Sequence, residues 1–270
     1  MADPSHRQLL QQRAELAAAA SSRADIERFF TETAKEVLLA LASNPHLQER
    51  DLLRLLERKD LPQEVVREIS THREAKRNYA VQFALVRHPR ASRLVSLPIL
   101  KFLYVFDLLR VAQTPAVPAD IKMVAEETIL KKLEGMPRGE RISLARRGTG
   151  RLAASLVVNP DPELIGAALD NPYLTEGLLL KVLARENLPP AVVERVAQHQ
   201  RWGHHYYLRL ALLRNPLTPF ARVLAFLPEM AVSDLRDICL DHRMPEPVRK
   251  YVLAHCAARL SKQRGVPPRG

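Results

Sequence analysis

The sequence predicts an all-α fold built from repeated helix pairs and internally duplicated, and three observations lead there. NPHLQERDLLRLLERKDLPQEVVREISTH, from Asn44, aligns without a gap on NPYLTEGLLLKVLARENLPPAVVERVAQH, from Asn171, at a constant offset of 127. Over 44–97 against 171–224, 19 of 54 positions are identical, including the matched histidines His72 and His199. Leucines recur at helical spacing, and prolines stand where helices start or stop; no segment shows the alternation of a strand.

Taken in order, residues 5–42 read as two helices, the first alanine-rich, and so 1–43 as an N-terminal cap. In LQERDLLRLLER, Leu47, Leu52, Leu53, Leu55 and Leu56 form one stripe. DLP and NLP stop this helix, and PQEVVREIS and PAVVERVA restart the chain with proline at or near the first helical position. YAVQFALVRHP and YYLRLALLRNP form the next helix, which ends at a proline. In LTPFARVLAFL, Thr218 is the expected N-cap and Pro219 the N1 residue. The duplication continues through Leu100/Leu227, Asp107/Asp234 and Leu133/Leu260, which delimits two repeat units, 44–133 and 171–260. Between them, 134–170 reads as connecting helices over 139–147, 151–158 and 162–169, with Gly148 and Gly150 at a turn. The last segment, 261–270, reads as a basic, disordered tail. Leu52, Leu53, Leu56, Val65, Val66, Ala84, Leu85 and their partners 127 residues later are the expected core.

Pro45 and Pro89 are 44 residues apart, as are Pro172 and Pro216. This is the pitch of two-helix solenoid repeats. On its NP turns and flanking leucine-rich helices the chain resembles the HEAT-like and leucine-rich-variant helical repeats, and bacterial proteins built from them. The resemblance covers most of the chain from about residue 36. It implies an α-solenoid that presents an extended surface, and it carries over no catalytic residue.

Composition narrows the function classes. Of 270 residues, 41 are Lys or Arg against 30 acids, a net charge of +11, and most of the excess lies on the duplicated segments. Such a surface permits polyanion binding. Cys239 and Cys256 are too few for a disulfide framework or a cysteine zinc site. We expect neither metal nor cofactor. No basic-then-apolar leader precedes Ser22, and Pro98, Lys101 and Asp107 interrupt the most apolar window, so the expectation is a cytoplasmic chain with no membrane partner.

Basic residues recur at the same register in both copies: Arg54/Lys181, Arg58/Arg185, Arg87/Arg214, Lys122/Arg249 and Lys132/Arg259. A ridge of cations repeated along a solenoid would engage phosphates; cations in last helical turns also complement the helix dipole. Arg54, Arg58, Arg87, Lys181, Arg185 and Arg214 are the candidate polyanion-binding set. HQRWGHHYY gathers the only tryptophan with three histidines, which makes Trp202, His204 and His205 candidate partner contacts, with packing as the competing role for the indole. In ARRGTGR, a glycine turn flanked by arginines could cradle a phosphate, but a helix C-cap followed by the Thr149 N-cap accounts for it without a ligand. Asp107 and Asp234 are expected to cap helices.

The function expected from these readings is a non-enzymatic binding scaffold with a protein partner, nucleic acid being the other partner class. An alternative follows from a second resemblance, to alkylpurine DNA glycosylases of HEAT-like repeats, which hold DNA in a basic groove. It would require an aromatic residue and an acid at that groove.

Overall fold

The computed structural model of the chain describes residues 4–241 and 244–263. Every regular element among them is a helix: nineteen α-helices and three short 3-10 turns. The chain divides into two compact units, 1–134 and 135–270. The first holds α1 (Pro4–Ala19), α2 (Arg23–Arg28), α3 (Lys35–Ala42), α4 (Glu49–Glu57), α5 (Gln63–Thr71), α6 (Arg73–Arg77), α7 (Tyr79–Arg87), α8 (Arg93–Leu100), α9 (Val105–Gln113) and α10 (Ala119–Lys132). The second holds α11 (Arg138–Arg147), α12 (Gly150–Leu156), α13 (Pro162–Leu169), α14 (Glu176–Leu183), α15 (Pro190–Gln198), α16 (Tyr206–Arg214), α17 (Phe220–Phe226), α18 (Val232–Cys239) and α19 (Glu246–Gln263).

The duplication reaches further than sequence identity does. Helices α2 to α5 and α7 to α10 each begin 127 residues before α12 to α15 and α16 to α19. The helices of the N-terminal cap and those of the connecting segment therefore occupy one register, α1–α3 in the first unit and α11–α13 in the second. Residues 5–42 form three helices rather than two, because Ser22 accepts a hydrogen bond from Asp25 N and starts α2 as a separate short helix. α6 has no α-helical counterpart. Where the first copy reads EAKR, the second reads RWGH, and the chain makes a 3-10 turn at Trp202–His204. Glycine in place of a strong helix former accounts for the difference. α19 continues through 261–263 of the segment read as a tail; 264–270 lie outside the described residues.

Two polar devices repeat and explain the sequence markers. Asn44 and Asn171, both fully buried, open the NP turns. The Asn44 side-chain amide donates to Ala17 O and Ala20 O, 2.8 Å each, and its Oδ1 accepts from His46 N at 2.8 Å. Asn171 donates to Ala145 O (2.7 Å) and Gly148 O (3.0 Å) and accepts from Tyr173 N (2.7 Å). One side chain thus holds the turn and satisfies carbonyls at the end of an earlier helix. His88 does similar work at the HP turn: Nδ1 accepts from Arg90 N and Nε2 lies 2.8 Å from Arg58 O. The second device is a tyrosine. Tyr79 donates to Asp107 Oδ2 at 2.6 Å and accepts from Tyr104 N; Tyr206 does the same with Asp234 and Ala231 N. The N-cap N–H groups are thus taken by a tyrosine from an earlier helix, and the two first-turn aspartates read as caps hold that tyrosine's hydroxyl instead. Burial, with the Asp107 carboxylate beside it, pushes the Tyr79 phenol up to about 12.

Leu52, Leu56, Val65, Val66 and Leu85 are buried, and so are Leu179, Leu183, Val192, Val193 and Leu212. Leu53, Ala84, Leu180 and Ala211 are only half-buried, which corrects their assignment to the core in both copies. In the second unit α11, α13 and α15 pack in one row and α12, α14, α16 and α18 in another. Leu180 and Ala211 lie on the open side of the second row, where α14 and α16 meet beneath a groove.

The turn in ARRGTGR is structural. Gly148 N donates to Leu144 O, and the Thr149 hydroxyl accepts from Leu152 N. A Cβ on Gly150 would lie 2.2 Å from Tyr173 O and 3.0 Å from Leu178 Cδ1. Gly150 therefore lets α12 approach the backbone of the NP turn, and Gly150→Ala should cost about 1–3 kcal/mol as overpacking. Chemical denaturation of the variant measures this; an unchanged midpoint would show that the backbone contact is slack.

Candidate functional site

The matched cations of the two copies have different fates. In the first unit they are engaged. Arg54 lies over the Phe30 ring, 4.7 Å from its centroid, and 4.0 Å from the Glu27 carboxylate. Arg58 donates to Phe30 O (2.8 Å) and Glu32 O (2.7 Å) and pairs with Asp60 at 2.6 Å. This pairing holds the Asp60 carboxyl below its ordinary range. Arg87 lies over the Phe83 ring at 5.0 Å and donates to Thr114 Oγ1; Arg110 covers the same ring at 5.2 Å. Lys132 and Arg259, at the two ends of the matched series, donate to backbone carbonyls, Leu103 O and Met230 O. Lys122 and Arg249 do likewise, to Pro115 O and to Asp241 O and Met244 O.

In the second unit Lys181, Arg185 and Arg214 are exposed, and none makes an ion pair, side-chain hydrogen bond or ring contact with any described residue. The substitutions between copies explain why. At the offset of 127, Glu27 becomes Ala154, Phe30 becomes Val157, Asp60 becomes Asn187 and Phe83 becomes Leu210. Each group that holds a cation in the first copy through an acid or a ring is absent from the second, while the cations are kept. The six candidate residues therefore do not form one surface of equivalent groups. Arg58 and Arg87 are structural ties, Arg54 is stacked, and the three cations of the second unit are available.

Two of these cations, Arg185 and Arg214, border an open groove. Its main part, about 650 Å³, runs over the C-terminal ends of α14 and α16, floored by Leu180, Leu183 and Ala211 and flanked by Leu217, Arg185 and Arg214. Glu186 is the acid on its wall. A further 390 Å³ continues past Arg214 toward α18, lined by Tyr207, Leu210, Asp234 and Asp237. Asp237 takes the place of Arg110 in the first copy. The groove is basic at the α14 end, acidic at the α18 end, and apolar along its floor. Sequence reading missed Leu180, Tyr207, Leu210 and Leu217 as surface-forming residues. The signal available was the loss of Phe83 and Phe30 between copies beside retained cations.

The tryptophan cluster falls apart as a site. Trp202 is 1% exposed, and its Nε1 donates to Leu169 O at 2.8 Å, so the indole is core and is withdrawn from any partner surface. His205 is half-buried, with Nδ1 3.3 Å from Glu176, and it stacks on the indole at 5.1 Å between centroids. His204 is exposed, and its Nδ1 lies 3.2 Å from the buried Arg209 guanidinium. Among the described residues no three His, Cys, Asp or Glu side chains gather as a metal site, and no helix is long and apolar enough to cross a membrane. Comparison with known proteins gives no match to a family model, to a curated protein or to a solved structure.

Proposed function

We propose that the protein is a non-enzymatic, cytoplasmic binding scaffold, an α-solenoid of HEAT-like helix pairs that engages a protein partner through the groove of its second unit. One observation carries the reading: cations kept at the same register in both copies are tied down in the first and left unpaired beside an apolar groove in the second. Duplication supplies a second copy whose surface can diverge while the first keeps its internal ties. The mixed lining favours protein over nucleic acid. A phosphate chain entering at Arg185 and Arg214 would run on toward Asp234 and Asp237, which repel it. The glycosylase-like alternative needs an aromatic residue and an acid at a basic groove; the single tryptophan is buried, and the exposed Tyr207 stands with Asp234 and Asp237 at the acidic end, away from Arg185.

The test is retention of proteins from native lysate on the immobilised chain, with and without nuclease. Wild type should retain discrete proteins after nuclease treatment. Lys181→Ala/Arg185→Ala/Arg214→Ala should lose them while keeping its helicity and melting temperature, because those side chains support nothing internal. Arg58→Ala, by contrast, should cost about 1–3 kcal/mol by leaving two carbonyls without their charged donor. Retention abolished by nuclease and weakened steeply by salt would assign the surface to nucleic acid instead.

A further inference from the structure

Resting on the scaffold reading, the geometry points to the class of partner: we infer that the groove of the second unit takes an amphipathic helix with carboxylates at one end and a cation at the other. Its apolar stripe would lie on Leu180, Leu183, Ala211 and Leu217, which floor and flank the 650 Å³ part. Leu180 and Ala211 sit at register positions whose apolar character is kept in both copies, although neither is buried within the unit. A helix laid in a groove uses apolar side chains spaced along one face as anchors, and a groove lined this way suits it.

Charge sets the direction. Arg185 and Arg214 flank the α14 end with no partner of their own among the described residues and outnumber Glu186 there, and Lys181 is exposed in the last turn of α14. Carboxylates of the partner would meet them there. At the other end Asp237 is exposed and Asp234 already accepts from Tyr206, so a cationic side chain of the partner is accommodated and an acid is not. A reversed helix would set like charges against each other at both ends, which gives orientation as well as selectivity.

The second copy also provides the control. In the first unit Phe83 stands at the register of Leu210, and Arg87 lies over its ring. Leu210→Phe should draw Arg214 onto a ring in the same way, filling the 390 Å³ part of the groove and engaging the cation that borders both parts.

Fluorescence anisotropy on the full chain tests the inference with three labelled probes: a helical peptide with a leucine stripe, glutamates at one end and lysines at the other; a peptide of the same charges with serine for leucine; and a single-stranded oligonucleotide. The first should bind, and Arg185→Ala/Arg214→Ala and Leu210→Phe should each weaken it by roughly tenfold, as expected on removing the paired charges or the groove itself. The leucine-free peptide should bind at least about tenfold more weakly than the first, because it cannot bury the apolar floor. Equal binding of the two peptides, preference for the oligonucleotide, or indifference of the first peptide to both variants would overturn the inference. If no peptide binds while groove-dependent retention of proteins persists, this partner class falls and the scaffold reading stands; if both fail, the scaffold reading falls with it.

Discussion

Asn171→Asp should destabilise the second unit by about 3–5 kcal/mol at neutral pH, the scale expected for a buried charge left without compensation. The substitution keeps the shape and removes both amide donors. The new carboxylate would face Ala145 O at 2.7 Å, Gly148 O at 3.0 Å and Arg146 O at 3.3 Å, three acceptors, while only Tyr173 N remains to donate to it. Burial and the facing carbonyls would raise the folded-state pKa of the introduced acid above its unfolded value. The sign follows: protonation restores one donor, so stability should recover as the pH falls and decline as it rises through the raised pKa. Asn44→Asp should do the same to the first unit, where Ala17 O and Ala20 O take the place of the second unit's carbonyls. Thermal melts across pH, with hydrogen exchange to locate the loosened unit, measure both effects. A variant as stable as wild type at neutral pH would show that the amide does not hold the turn.

The same asparagines show what was legible in the sequence and why. The NP dipeptides stand at matching turns of the two copies because proline and asparagine both favour a turn, and those turns were legible without any structure. The task of the amide was not legible, since its acceptors lie more than twenty residues upstream on a helix with few matching residues between copies. For the same reason α1–α3 and α11–α13 did not look alike. Val37/Leu164 and Leu38/Ile165 keep only apolar character, which is all that a packed helix row requires. The leucine stripe of α4 gave the core well at Leu52 and Leu56 but overran it at Leu53. Periodicity reports which residues share a face; it does not report where a neighbouring helix stops covering that face. The cations were the least legible. Arg54 and Lys181 are equivalent in sequence, and their difference rests on Phe30 against Val157, 24 residues away in each copy.

Trp202→Ala should cost about 3–5 kcal/mol, the usual range for truncating a fully buried aromatic. The indole is among the largest fully buried side chains, with Arg201 over one face at 4.2 Å from the ring centroid and His205 beside it. The first copy has Ala75 at this register, also buried, but there α6 supplies a helical turn in the space. Alanine in the second copy would meet a 3-10 turn and leave the volume empty, so restoring the first copy's residue should not restore its packing. Trp202→Phe separates the two contributions. It keeps most of the apolar volume and leaves Leu169 O without its donor, at a cost of about 1–3 kcal/mol. Urea titration followed by circular dichroism gives both values, because the variants remove the only tryptophan and with it the fluorescence signal. In the wild type that fluorescence reports on the second unit alone, and its shift to longer wavelength on unfolding should coincide with exposure of the indole from its 1% accessible site. Were Trp202 a docking residue, its replacement would weaken partner retention and leave the urea midpoint in place. The buried ring requires the opposite order: stability should fall first, and partner binding should fall only as far as the folded population does.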